Sequence, residues 1–363
     1  MYFNLVELSK IKGFGSAKVS ELNKKGILSV EQMLDIPPPQ YAEMTGVDNE
    51  TARSHFTKAK EAMDKEKGIK SKFKSGMDCK SEEDNIEKIK TGSKALDKLF
   101  MGGVETSATT EVYGEFGSGK TQFSHTMCVM VQKPIEQGGL DAKAIWINTE
   151  GTFEPSRIIS IAEANGLDPE KTLNNILVAD ALNSVDQHNI MMEIINLLVE
   201  DKSYKLIVVD SATGLFKQDY SGLGMLSERQ KYLDKFLTLC SNVSKVHKVA
   251  VIWTNQIYTA PLTFNGDPTV AVGGSAIAHK STYRVYFTKS GRFRMAKMVD
   301  SPKDAQTEVM FGLSKSGVVD MDVAVEEEDA RKKKLTSDKT KAKAGNVFGE
   351  APTKEEKTEE LEE

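Results

Sequence analysis

The chain has 363 residues, 39% apolar and 28% charged, with a formal net charge of −5. That length suits one large α/β domain beside a smaller one, and the composition is that of an ordinary globular protein. No long apolar run offers a membrane span, the scattered Cys79, Cys128 and Cys240 make neither a disulfide framework nor a metal spacing, and the charge gives no global attraction to nucleic acid.

The start, Met1-Tyr2-Phe3-Asn4-Leu5-Val6-Glu7, lacks a basic segment followed by an apolar one, so no secretory signal is expected and the cysteines read as reduced thiols in the cytoplasm. Residues 1–62 read as a small all-α unit punctuated by two glycine turns, Lys12-Gly13-Phe14-Gly15-Ser16 and Met44-Thr45-Gly46-Val47-Asp48. The first resembles a helix-hairpin-helix element, in which the turn around Gly13 and Gly15 aims backbone N–H groups at a DNA phosphate without reading sequence. Lys10, Lys12, Lys18, Lys24 and Lys25 surround it, although a plain αα-hairpin with solvated lysines fits the same residues.

Residues 63–90 turn strongly charged and read as a linker carrying one aromatic, in Phe73-Lys74-Ser75-Gly76. Phe73 either packs back on its own domain or serves as a knob for another subunit. From 91 to 322 strands and helices alternate, as in a doubly wound α/β domain with a mainly parallel central sheet.

That domain opens with Gly114-Glu115-Phe116-Gly117-Ser118-Gly119-Lys120-Thr121, which fits G-x-x-x-x-G-K-[ST] between strand-like Thr110-Glu111-Val112-Tyr113 and a helical run from Gln122. The glycines let successive N–H groups turn around a phosphate, the helix presents its N-terminal dipole, Lys120 reaches the β/γ-phosphates and the Thr121 hydroxyl ligates Mg²⁺. A nucleoside triphosphate site follows. Ala144-Ile145-Trp146-Ile147-Asn148-Thr149-Glu150 is a strand ending at a carboxylate suited to take a proton from attacking water, or simply solvated at a strand end. Tyr204-Lys205-Leu206-Ile207-Val208-Val209-Asp210 reads as a buried parallel strand delivering Asp210 to Mg²⁺ or its water, the alternative being a loop aspartate capping the next turn. After Val323 acidic and lysine runs replace large apolar residues, so 323–363 is expected to be disordered.

Together these pieces resemble the archaeal RadA recombinases, relatives of the eukaryotic strand-exchange recombinases and, more distantly, of bacterial RecA. The resemblance covers residues 1 to about 322 and implies a RecA-like P-loop ATPase core. It extends the nucleotide cradle from Gly114 through Gln122, and Asn148-Thr149-Glu150-Gly151-Thr152-Phe153 through Arg157 is similar to the segment carrying a catalytic glutamate and an adenine-stacking arginine. Those roles would fall to Glu150 and Arg157. Phe73 would insert into the neighbouring subunit of a filament. Tyr220 through Gln230 resembles the first DNA-facing loop, and Thr254-Asn255-Gln256 through Gly273-Gly274 and Ala278-His279-Lys280 the second, with Gln256 sensing the γ-phosphate. Lys217, Arg229, Phe264, Lys280 and Arg284, with Gly13 and Gly15, would meet DNA, and Arg292 and Arg294 are further candidates. Met298-Val299-Asp300-Ser301-Pro302 resembles the segment that caps the adjacent subunit's nucleotide, so Pro302 would touch that nucleotide while Asp300 and His279 approach its triphosphate in trans through a monovalent cation, K⁺.

Four positions depart from the family pattern: Leu223 stands where an arginine is usual, Thr269 and Val270 where basic residues are usual, and Asn148 where an aspartate is usual. Fewer loop charges imply weaker single-strand affinity and a shallower salt dependence. The expected protein is an ATP-dependent recombinase, cytoplasmic and nucleoid-associated, binding single- and double-stranded DNA and copies of itself. A paralogue that regulates or mediates recombination without exchanging strands is the second reading, and a hexameric helicase, which leaves the N-terminal unit unexplained, the third.

Overall fold

The computed structural model describes residues 6–66, 73–259, 269–303 and 307–345. Its first unit packs α1 (Ser16–Lys24), α2 (Val30–Asp35), α3 (Pro38–Thr45) and α4 (Asn49–Glu66) around Leu22, Ile27, Met33 and Tyr41. Ser29 and Gln32 cap α2 reciprocally, satisfying two backbone donors that the helix start leaves open. α4 runs to Glu66, past the expected boundary at 62.

The turn at Gly13 (φ 90°) follows only a three-residue 3-10 turn, Leu8–Lys10, whereas Gly46 (φ 68°) joins two full helices. The expected helix-hairpin-helix around Gly13 and Gly15 is therefore cut short on its first side. Val6 and Glu7 are held extended by the Val30 N–H bond to Val6 O and the bridge from Glu7 to Ser29, so among the described residues only the 3-10 turn precedes Gly13.

Inside the expected linker stands α5 (Gly76–Asp84), started by a reciprocal cap between Ser75 and Asp78. Just before it Phe73 is 91% exposed. A short ribbon of β1 (Lys88–Ile89) and β2 (Val104–Glu105) then brackets α6 (Lys94–Leu99).

The larger unit continues with β3 (Thr109–Gly114), α7 (Lys120–Met130), β4 (Lys143–Asn148), α8 (Pro155–Ala164), α9 (Pro169–Asn174), β5 (Ile176–Asp180), α10 (Ser184–Glu200), β6 (Tyr204–Asp210), α11 (Gly214–Asp219), α12 (Leu226–His247) and β7 (Ala250–Asn255). There follow β8 (Ile257–Thr259), β9 (Thr269–Ala271), α13 (Gly274–Lys280), β10 (Tyr283–Ser290), β11 (Phe293–Asp300), β12 (Glu308–Ser314), β13 (Gly317–Val319) and α14 (Met321–Gly345). Nine strands form one sheet in the order β13-β12-β11-β10-β3-β7-β6-β4-β5. The run from β10 to β5 is parallel and the other three strands are antiparallel.

Alternation along the strands feeds two cores. Ala144, Trp146, Leu206, Val208 and Ile252 meet α7 and α8 on one face, while Ile145, Ile147, Ile207, Val209 and Trp253 meet α10 and α12 on the other. Burial on both faces is why these strands read as nearly continuous apolar runs. The N-terminal unit docks on the second helical layer: His247 Nε2 lies 2.9 Å from Asp35 Oδ2, Asn242 donates to Asp35 O at 3.2 Å, and Gln40 bonds His188.

The C-terminal expectation is corrected from 323 to 345, where the chain is the helix α14. Its Ala, Glu, Lys and Arg content favours a helix without a large apolar face, Glu328 and Lys332 pair one turn apart at 2.6 Å, and its first turns dock on β12.

His125 of α7 stacks on Trp146 at 4.7 Å and accepts the Glu154 N–H at Nε2, 3.0 Å. Burial lowers its pKa from 6.5 to about 4. The unfolded chain therefore holds the proton between those values while the folded chain does not, so stability is full above pH 6.5 and falls by roughly 3 kcal/mol towards pH 4. His125→Gln, which keeps an acceptor but does not titrate, is expected to reduce the loss of denaturation midpoint between pH 7 and 5; an unchanged loss would refute this account.

Candidate functional site

Because β3, β7, β6 and β4 run parallel, their carboxyl ends share one edge of the sheet, the edge at which such folds bind ligands. β3 leads into Gly114, β7 into Asn255 and Gln256, β6 ends at Asp210, and β4 leads to Glu150. These ends enclose a cleft of about 550 Å³ lined by Gly114, Glu115, Phe116, Gly117, Gly119, Lys120, Thr121, Gln122, Glu150, Asp210 and Gln256. Every one of these was named from sequence. The cleft also takes in Thr152, Ser211, Thr254, Ile257, Arg294 and Leu313, which that reading did not place there.

The cradle depends on Gly114, where a Cβ would stand 2.0 Å from Phe287 O on the adjoining β10. Beyond it Gly119 caps α7 with no side-chain bond to the helix start, so the first N–H groups of α7 face the cleft with the positive end of the helix dipole. Ser118 is fully buried and its Oγ has no partner. Lys120 Nζ donates to Gly114 O and Glu115 O, both at 2.9 Å. Burial pulls its pKa below the usual lysine range, opposed by Asp210, Glu150 and Glu115.

Three hydroxyls converge on Asp210: Thr121 at 2.9 Å, Thr152 at 2.7 Å, and Thr254. Glu150 Oε1 accepts from Ser211 Oγ at 2.6 Å and Gln256 Nε2 at 3.1 Å. Asn148 donates to Asp180 at 2.6 Å and accepts the Thr152 N–H at 3.0 Å, so this uncommon residue ties the strand end that precedes Glu150. A cleft with backbone donors, one ammonium, the Arg294 guanidinium and the carboxylates of Glu115, Glu150 and Asp210 fits a polyphosphate and the metal that accompanies it.

Gln256 also sits at the root of the β8–β9 ribbon. Its O accepts the Val272 N–H at 2.9 Å and its N–H bonds Asn255 Oδ1 at 2.9 Å. Asn255 in turn donates to Glu111 Oε1 at 2.8 Å and Val272 O at 2.7 Å.

Several other expected positions stand elsewhere. Arg284 lies in β10 and its Nε bonds the fully buried Glu111 Oε2 at 2.6 Å, with the guanidinium over Tyr113. The expectation that Arg284 faces DNA is corrected: releasing it would leave a buried carboxylate without its cation, which costs several kcal/mol. Arg294, a DNA candidate in the sequence, lines the cleft instead, because β11 carries it beside Leu313. Arg157 donates to Gln122 Oε1 at 2.6 Å, Ser314 O at 2.7 Å and Lys315 O at 3.1 Å, and faces a neighbouring cavity.

Lys217 is exposed on α11 and Arg229 half-buried on α12, so both leave helices rather than a loop. Lys280 pairs with Asp234 at 3.5 Å. His279, Asp300 and Pro302 are exposed and line no part of the cleft. Phe264 lies outside the described residues. Thr152 and Thr254 had a local signal, as hydroxyls two positions from Glu150 and Gln256; Arg294 had none, since its place depends on pairing of β11 with β12.

A family model described as Rad51 matches residues 82–321. The chain is 40% identical over 352 residues to the DNA repair and recombination protein RadA of Cenarchaeum symbiosum, covering 94% of this chain and 88% of the relative. It is also 40% identical over 311 residues to the protein of the same name from Metallosphaera sedula, covering 85% and 94%.

Proposed function

The chain belongs to the Rad51 family, and from that premise we infer that it is a DNA-dependent ATPase acting as a recombinase in DNA repair. The observation that carries this reading is the convergence of the Gly114–Thr121 loop, Glu150, Asp210 and Gln256 on one cleft. Lys120 and the α7 start would hold the β- and γ-phosphates, and Thr121 with Asp210 would hold Mg²⁺, an ion that usually keeps few protein ligands and would neutralise developing phosphate charge. Glu150 accepts the proton of the attacking water, with its Oε1 fixed by Ser211 and Gln256.

Gln256 gives hydrolysis a route to DNA. A γ-phosphate oxygen competes with Glu150 for its amide, and the same residue anchors the ribbon that carries the second DNA-facing loop. In the ATP state the ribbon root is held; after hydrolysis that contact is gone and DNA is released. Gly13 and Gly15, with the lysines around them, add sequence-independent phosphate contacts, and Lys217, Arg229 and Lys280 line the path of the single strand. His279, Asp300 and Pro302, exposed and away from this chain's own cleft, would meet the nucleotide of the next subunit, where His279 and Asp300 would hold a K⁺ supplying charge against its triphosphate.

Filament assembly would run through Phe73. Its exposure is matched by exposed Leu177, Val178, Leu182 and Val185 around the edge strand β5, an apolar acceptor for a neighbour's aromatic. Phe73→Ala is expected to convert polymers into smaller species, because truncating an aromatic anchor costs an interface about 2 kcal/mol or more at every junction. Size-exclusion chromatography checks this; a size distribution equal to wild type would return Phe73 to its own domain.

A recombination mediator without strand exchange is the second reading, favoured by Leu223, Thr269 and Val270 and by the sequestration of Arg284. A joint-molecule assay with purified protein, ATP and homologous DNA separates the two. Strand exchange supports the recombinase; ATPase activity without it supports the mediator.

A further inference from the structure

Beyond β11 the chain turns through Ser301, Pro302 and Lys303 on its way to β12, and the Lys303 N–H donates to Ser301 Oγ at 3.2 Å. The Lys303 side chain ties this turn to two other elements. Its Nζ donates to Glu105 Oε1 of β2 at 2.8 Å and pairs with Glu83 of α5 at 3.2 Å. Glu105 is only 3% exposed, and besides Lys303 it meets Lys88 at 3.1 Å and accepts from the Tyr283 hydroxyl at 2.7 Å. Burial by itself would raise its pKa, but the bonds from Lys303, Tyr283 and Lys88 outweigh that and hold the carboxyl below the usual glutamate range.

The partners of this buried carboxylate come from separate parts of the chain. Tyr283 opens β10 of the central sheet, Lys88 opens β1 just after the linker, and Lys303 adjoins Pro302 in the turn. α5, which supplies Glu83 as the second acceptor of Lys303, begins three residues after the exposed Phe73. Lys303 therefore stands between the two segments of this chain that face other subunits. Its bond to Glu105 is firm, because a buried carboxylate holds the cations that compensate it. Its pairing with the half-exposed Glu83 is weaker and follows the position of α5.

We propose that Lys303 is a positioning residue that couples the seating of Phe73 on a neighbouring subunit to the placement of the Asp300–Pro302 turn against the next subunit's nucleotide. This rests on the reading that Asp300 and Pro302 meet that nucleotide. With Phe73 seated, α5 is held, Glu83 fixes one side of the Lys303 ammonium and Glu105 the other, and the turn keeps one position. With α5 loose, Glu105 alone restrains it. Lys303, Glu83 and Glu105 line no part of the phosphate cleft, so the coupling acts on nucleotide affinity in the assembled protein and not within a lone subunit.

Calorimetry with Mg²⁺ and a slowly hydrolysed ATP analogue tests this on the full chain, once in assembled protein and once in a Phe73→Ala background. Lys303→Met keeps the length of the side chain and leaves Lys88 and Tyr283 on Glu105, so the fold should hold. It is expected to weaken the analogue by at least about fivefold in assembled protein, the lower end of ordinary coupling between sites, and to change nothing in the Phe73→Ala background. Lys303→Arg should restore wild-type affinity. Glu83→Gln should weaken binding by about twofold, as an exposed pair allows, and add nothing to Lys303→Met. Unchanged affinity in assembled Lys303→Met would overturn the proposal, as would equal weakening in both backgrounds or a defect that arginine does not relieve. Loss of nucleotide-free assembly in Lys303→Met would also overturn it, by placing Lys303 in the docking of Phe73 itself. If Asp300→Asn leaves the affinity of assembled protein unchanged while Lys303→Met lowers it, the placement of Asp300 at the next subunit's nucleotide fails instead.

Discussion

Lys120→Ala is expected to lower steady-state ATP turnover by at least about 10²-fold, equivalent to about 2.7 kcal/mol of lost transition-state stabilisation. Among the described residues the ammonium is the one lysine charge lining the cleft, and it is held in place by two carbonyls of the loop, Gly114 O and Glu115 O. Negative charge developing on the β/γ bridge loses the cation held at the loop itself, and the surrounding Asp210 and Glu150 repel phosphate once the lysine is gone. The fold should survive, because the two carbonyls stand at a cleft that water can enter. Turnover measured with and without single-stranded DNA reads the effect; near-normal hydrolysis by the variant would remove the nucleotide assignment of the cleft.

For Glu150→Gln the expected result is a split: ATP binding retained, hydrolysis lowered by at least about 10²-fold. Glu150 Oε1 accepts from both Ser211 Oγ and Gln256 Nε2, and a glutamine keeps that oxygen and its shape. What it lacks is the basicity to take a proton from water. Arrested in the ATP state, the variant should also stay on single-stranded DNA longer than wild type. Nucleotide binding by calorimetry and phosphate release by colorimetry separate the two halves of the prediction, and lost binding would make Glu150 a structural residue instead.

The phosphate loop, Glu150 and Asp210 were legible in the sequence because each depends on a short stretch read in order, a strand followed by a turn with fixed residue types. Their convergence follows from parallel strands that align their carboxyl ends, so strand order alone carries the site. The tail misled because large apolar residues were taken as the measure of order: α14 needs only small Ala324, a matching Gly312 and Glu327 on the 315–316 turn to dock. The basic residues misled for a different reason. A lysine or arginine near an expected loop looks ready for phosphate whatever it touches, and its partner lies far away in sequence.

Arg284 and Glu111 are 173 positions apart, so only the register of β10 beside β3 turns a DNA candidate into a buried ion pair under the cleft. The pairing of β11 with β12 decides equally that Arg294 lines the cleft. Local chemistry therefore set which residues could hold a triphosphate. Which charges stay exposed, and which line the cleft, was decided by contacts between distant strands, where burial makes an unpaired charge too costly to leave alone.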